Sequence, residues 1–194
     1  MAKRRQQRVR VHLDPEAKQN APAPEDIPHI LRAADDCIGR AGRGMLVKIL
    51  KGSKVKRLLE LGLQDCPSYG YYRSKTMDEI GRIVDWMILA GFLEIQYDGR
   101  LPMIVFSDRG WEEYKPVYAE EMYQVVLQAA ADPEAMEAAI ERLKTTNREV
   151  ILQLLEALAK SKNIGVVRFL EAWSAQEVKK VRAAIRQAME EIRR

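Results

Sequence analysis

The sequence predicts a mainly α-helical protein, in which three helices closed by a β-hairpin precede a second unit that is helical throughout. Three observations carry this reading. Apolar residues recur every three or four positions over most of residues 27–90, the period of an amphipathic helix. Between residues 92 and 106 that period gives way to two short β-type runs around an Asp-Gly pair. From residue 117 onward the helical period returns and persists. With 194 residues, 47% hydrophobic and 31% charged, the chain can bury one good core or two small ones and is no disordered polymer.

Residues 1–26 read as a basic, flexible N-terminal arm. MAKRRQQRVRV carries no acid, and HLDPEAKQNAPAPED has the Pro- and Ala-rich composition of a linker. The domain at 27–116 begins with a helix whose face is Ile30, Leu31, Ala34 and Ile38; Gly39, Gly42 and Gly44 then punctuate the chain. MLVKILK forms a second short helix, Gly52-Ser53 a turn, and VKRLLELGL a third helix. QDCPSYGYYRSK is a loop by its Pro, Gly and Ser. Thr76 and Glu79 make a capping box that opens the next helix, with Met77, Ile80, Ile83, Val84, Met87 and Ile88 on its apolar side and Gly91 at its end. FLEIQ and MIVF read as strands joined by YDGRLP, where Asp98-Gly99 signals a hairpin. Helices followed by a hairpin in this order define a winged helix. Residues 117–194 form an α-helical C-terminal domain with turns at Asp132-Pro133 and Asn163-Ile164-Gly165, and Ser174 is placed to cap the last helix. Its successive helices resemble HEAT or armadillo-like repeats, which serve to bind protein or to extend a core.

Several function classes fall away on composition. Only Cys37 and Cys66 are present, outside any CxxC or Cys/His cluster, which argues against a disulfide scaffold or a Cys-rich zinc site. No apolar run approaches the roughly 20 residues of a membrane span, and the start lacks the apolar core of a signal peptide. A cytoplasmic protein is expected, nucleoid-associated in a bacterial cell, with no membrane partner. His12 and His29 have neither a nucleophile nor a metal-ligand spacing beside them, and Asp35 and Asp36 point to different helical faces. LKGSK lacks the leading Gly of an ATP-binding GxxxxGK[ST] loop. The expectation is a non-enzyme without cofactor or metal.

The chemistry sits in KGSKVKR. The net charge is only +4, but Arg40, Arg43, Lys48, Lys51, Lys54, Lys56 and Arg57 follow one another from Cys37 to Leu59 with no Asp or Glu between them. A helix N-terminus carries partial positive charge and prefers acids in its first turn. The helix after Gly52-Ser53 starts with cations instead, a conflict that an external anion resolves. Backbone N–H groups, a hydroxyl and two or three cations together suit a phosphate.

ILKGSKVKRLLELGL, then CPSYGYY, VDWMILAGFLEI and VFSDRGWEEY, in this order between Ile27 and Pro116, resemble the RQC domain, the winged-helix module of RecQ-type helicases. The resemblance implies duplex or junction DNA binding, with Lys51, Ser53, Lys54 and Arg57 gripping backbone phosphates. It also implies a wing that meets terminal base pairs, where this chain offers Tyr97, Arg100 and Leu101. The helicase lobes and the four-Cys zinc element of many relatives are absent from these residues. Arg43, Lys56, Arg73, Ser74 and Lys75 complete the expected DNA-binding set. Asp78, Glu79 and Asp85 leave the helix after Thr76 poor in base readers, so weak sequence specificity is expected. Trp86, Phe92, Phe106 and Trp111 are expected in the core. Tyr97 has two readings, a platform for a base or a cross-strand stabiliser of the hairpin.

The expected function is therefore DNA binding by a winged helix without its own helicase motor, the basic arm adding phosphate or minor-groove contacts and the C-terminal helices recruiting a protein. Alternatives stay open: an adaptor whose basic winged helix meets an acidic protein, a transcriptional regulator, an RNA ligand, or a basic face that is merely solvated.

Overall fold

The helix predicted from Thr76 forms with both halves of its capping box. The Thr76 hydroxyl accepts from the Glu79 amide at 3.2 Å, and the Glu79 carboxylate accepts from the Thr76 amide at 2.7 Å. Hydrogen bonds from the Thr76 amide and hydroxyl hold the Glu79 carboxyl below its ordinary range. The computed structural model describes residues 8–194 and resolves the chain into two units, one ending at Tyr114 and the other Lys115–Arg194. The basic start of the expected arm, residues 1–7, lies outside the described residues.

The first unit contains α1 (Ile27–Asp35), α2 (Arg43–Lys51), α3 (Lys56–Glu60), α4 (Met77–Leu89), β1 (Leu93–Asp98) and β2 (Leu101–Phe106). Helix α2 packs on α1 and α4, and β2 packs on α1 and α2. Their shared core includes Ile30, Leu31, Leu46, Ile49, Leu50, Leu58, Ile80, Val84, Met87 and Ile104, all fully buried. This is a mainly α fold with a winged-helix-like hairpin. Gly42 is required where α2 begins, because a Cβ there would lie 2.2 Å from the Pro102 carbonyl oxygen of the wing.

Element ends differ from the sequence reading in instructive places. Helix α1 stops before Ile38, and α3 covers only five of the nine expected residues because Gly62 turns to φ +68 just beyond it. The strands extend through Tyr97 and Pro102, so the expected YDGRLP loop shrinks to Gly99-Arg100, with Gly99 at φ +59. A two-residue hairpin with Gly first suits the strand twist. Phe92 is buried, while Trp86, Phe106 and Trp111 are half-buried and packed ring against ring, Trp86 on Phe92 at 5.9 Å and Phe106 on Trp111 at 6.1 Å.

The described part of the expected arm makes defined contacts with the domain. Asp14 caps a 3-10 helix, Pro15–Gln19, by accepting from the Glu16 amide, and its own amide donates to Asp85 at 2.9 Å. Ala17 is fully buried where this turn packs on α4. Further back, the Val9 amide donates to the Arg100 carbonyl at 3.1 Å and the Tyr97 hydroxyl to the Val9 carbonyl at 2.9 Å. Linker-like composition thus conceals a small methyl for packing and two main-chain contacts that only the folded domain supplies.

In the second unit, α5 (Asp108–Ala131) enters from the first and continues past Pro116, and α6 (Met136–Thr145), α7 (Arg148–Ser161), α8 (Val167–Gln176) and α9 (Lys179–Arg193) follow. Helix α9 packs on both α7 and α8 over Leu154, Leu158, Phe169, Trp173 and Ile185. Asn147 caps α7 by accepting from the Glu149 amide at 2.8 Å. Ser174 does not cap the last helix. It lies buried within α8, while α9 starts after Val178 with no side-chain cap. Among the described residues, no helix is long and apolar enough to cross a membrane.

Candidate nucleic-acid interface

Helix α2 ends as KGS dictates. Gly52 takes the left-handed conformation at φ +75, its amide reaches back to Ile49, and the Ser53 amide bonds Lys48 O at 2.9 Å. The loop that precedes α4 then clamps onto this turn. Gly70 N donates to Ile49 O and Tyr72 N to Leu50 O, both at 2.8 Å. Gly70 sits so close that a Cβ on Gly52 would come within 3.0 Å of its Cα. Tyr69 donates its hydroxyl to Ser53 O at 3.1 Å, and the Lys51 ammonium donates to the carbonyls of Arg73 and Lys75, each at 2.7 Å. Turn and loop, separate in sequence, are bonded into one corner.

An open hollow of about 720 Å³ lies in this corner, walled by Lys48, Lys51, Ser53, Lys54, Tyr69 and Arg73. Lys48, Lys54 and Arg73 have no ion-pair partner among the described residues. Lys56 and Arg57 follow on α3, 91% and 67% exposed, with Glu60 3.8 Å from each. Such exposed pairs contribute roughly 0–1 kcal/mol, so a phosphate can compete for these cations. No side chain caps the start of α3. Ser74 is exposed, and Lys75 rests 5.4 Å above the Tyr72 ring.

Three expected contacts are otherwise engaged. Arg43 is an internal strut: it binds the buried Asp85 through Nε and through Nη2 at 2.8 Å, and also bonds Gly81 O at 3.1 Å. Asp85, read from sequence as part of the exposed face of α4, is fully buried. Tyr97 holds Val9 through its hydroxyl, and the Arg8 guanidinium lies 5.0 Å from its ring centre. The apolar residue left exposed at the wing tip is Leu101, at 54%; Arg100 is exposed beside it. Lys51 lines the hollow but spends two of its three donors on carbonyls. The sequence reading did not place Lys48 in the site, although its position one turn before Lys51 is the helical signal that could have done so.

The corner is buttressed from behind. Asp26 accepts from Tyr71 at 2.6 Å and from Tyr72 at 2.8 Å, and His29 stacks on Tyr71 with ring centres 4.2 Å apart. Burial works to raise the Asp26 pKa, but the two hydroxyl donors outweigh it and leave the carboxyl below its usual range. The same bond lifts Tyr71 to about 12, and burial together with Asp26 raises Tyr72. Burial also pushes the Cys37 and Cys66 thiols up to about 12, so both stay protonated. The described residues hold no cluster of His, Cys, Asp and Glu able to bind a metal.

A winged-helix unit with a basic corner between its second and third helices narrows the class of protein, and sequence comparison supplies the family. The RQC domain matches residues 23–131, more than half of the chain. The chain belongs to the RQC domain family. Over 111 residues it is 31% identical to an ATP-dependent DNA helicase RecQ of Bacillus subtilis (strain 168). That stretch is 57% of this chain and 18% of the helicase, so the chain spans less than a fifth of that relative. No solved structure gives a significant match.

Proposed function

We propose that this protein binds duplex or junction DNA by its backbone, through the corner formed by the KGS turn, the start of α3 and the loop before α4. Membership of the RQC domain family supports a DNA-binding role, and the observation that carries the reading is the cationic hollow of Lys48, Lys54 and Arg73 continued by Lys56 and Arg57. A phosphate in the hollow meets these cations and the Ser53 hydroxyl. Lys51 acts chiefly by holding the loop that presents Arg73. Contacts of this type fix position on a duplex without reading its sequence. Helix α4 adds little readout, since its exposed positions include Asp78 and Glu79 and the Pro15–Gln19 turn packs on it. The 194 residues contain no ATP-binding GxxxxGK[ST] loop, so the binding proposed for them requires no hydrolysis. The C-terminal helices are proposed to meet a protein partner.

The test is equilibrium binding of the full chain to blunt duplex, forked duplex, single-stranded DNA and duplex RNA, with polyglutamate as an acidic protein-like competitor. Tighter binding to the DNA duplexes is the expected result. Equal affinity for polyglutamate and DNA overturns it in favour of an acidic protein partner.

A further inference from the structure

The described part of the N-terminal segment does more than cover the domain. Its fastenings are main-chain bonds at Val9 and Asp14, the Tyr97 hydroxyl, the Arg8 guanidinium over the Tyr97 ring and the buried methyl of Ala17. Arg10 and His12 take no part in them. Both side chains are exposed, and neither makes a polar contact among the described residues. Residues that belong to the strap, yet contribute nothing to holding it, are free to meet something else.

What they face is a third hollow, about 380 Å³, walled by Arg10, His12, Gly42, Met45, Ile95 and Pro102. It does not stand alone. Arg43 and Gly44 line it and also line a second hollow of about 540 Å³ beside α2 and α4. Lys48 and Met77 line that second hollow and the corner of the KGS turn as well. Neighbouring hollows thus share wall residues, a series (the trough) that runs from Lys54 and Arg73, past Lys48, to Arg10 and the root of the wing. Three acids border its middle part, Asp14, Asp78 and Asp85. Asp85 is taken up by Arg43 and the Asp14 amide, and Asp14 caps the Glu16 amide. Asp14 and Asp78 keep their negative charge, since a main-chain amide does not neutralise the Asp14 carboxylate, and Lys48 and Arg82 line the same hollow against them.

We propose that this trough carries one sugar-phosphate strand of the bound DNA, and that the docked strap supplies its far wall, with Arg10 as a phosphate contact and His12 beside it. The inference rests on the DNA-binding reading above and extends it by a second grip, remote in sequence from KGSKVKR. It replaces a loose basic arm with a fixed one: the bonds of Val9 and Asp14 hold the backbone that carries Arg10, so that only the Arg10 side chain remains to be ordered when DNA arrives.

Two variants test it in the full-length chain. Arg10→Ala removes a side chain that the fold does not use. One phosphate contact contributes a factor that scales with salt to about the power −0.9, so its loss weakens duplex binding roughly five- to tenfold near 0.1 M salt and flattens the log-log salt slope by about 1. His12→Cys, modified with an azidophenacyl photo-cross-linker while the buried Cys37 and Cys66 stay protected, should cross-link to duplex on illumination. If the chain binds duplex and Lys54→Ala/Arg57→Ala weakens it, yet Arg10→Ala matches the wild type and position 12 gives no cross-link, the strap proposal is overturned and the corner stands. If the wild type binds no DNA at all, the underlying reading fails and this one with it.

Discussion

Replacing Arg43 by alanine should unfold this domain more readily while leaving the KGS corner's grip on DNA intact. The Asp85 carboxylate is only 1% exposed, and it receives two of its three donors from Arg43, Nε on one oxygen and Nη2 on the other, with the Asp14 amide as the third. Removing the guanidinium strands a buried charge and frees Gly81 O as well. Breaking such a pair costs about 3–5 kcal/mol when both partners are buried; because Arg43 is 28% exposed and partly hydrated, roughly 2–4 kcal/mol is the expectation here. For a unit of this size that lowers Tm by on the order of 10–20 °C. Arg43→Met/Asp85→Leu, which removes both charges, should lose much less than either single change. Urea denaturation followed by far-UV circular dichroism measures the loss, and duplex binding below the transition measures the grip. Undiminished stability with a flattened salt slope would refute the assignment and make Arg43 a phosphate contact.

Three further outcomes follow from the same geometry. Gly70→Ala forces a Cβ into a left-handed residue, φ +72, and within 2.9–3.3 Å of the Arg73 guanidinium, so it should cost about 1–2 kcal/mol in denaturation and weaken DNA binding by displacing Arg73. Asp26→Asn weakens two charge-assisted hydrogen bonds and should cost roughly 1–2 kcal/mol, a figure discounted for partial exposure. Because the folded pKa of Asp26 lies below 3.8, its contribution is present above that value and fades as pH falls through the lower folded pKa. A pH series of denaturation midpoints should therefore show wild type and Asp26→Asn converging in acid. Cys37 and Cys66 should resist a thiol reagent such as Ellman's in the native state and react fully once unfolded, since burial and pKa values raised to about 12 leave neither an accessible thiolate.

Local chemistry was legible in the sequence, and long-range partnership was not. Thr76 with Glu79, Gly52-Ser53 and Asp98-Gly99 each act within a few residues, so their spacing alone announces a cap, a turn and a hairpin. The position of KGSKVKR between two helices was readable for the same reason. The fate of each cation was not: Arg43 meets an acid 42 residues away, and Lys51 meets carbonyls 22 and 24 residues away. No pattern of charge distinguishes a strut from a free cation until the fold brings those partners in. Tyr97 and the N-terminal segment hid one another similarly, because a hydroxyl on the wing meets a carbonyl 88 residues earlier in the chain.

The central claim is that the KGS corner grips phosphate, and the salt dependence of duplex binding tests it most directly. About four phosphates contacted by the corner and one by Arg10 give a log-log slope of about −4.5 for the full chain. Lys48→Ala/Lys54→Ala/Arg57→Ala should flatten that slope to about −2 with the fold intact by circular dichroism. A slope that the triple change leaves where it was would contradict the account, and would mean that KGSKVKR is a solvated face.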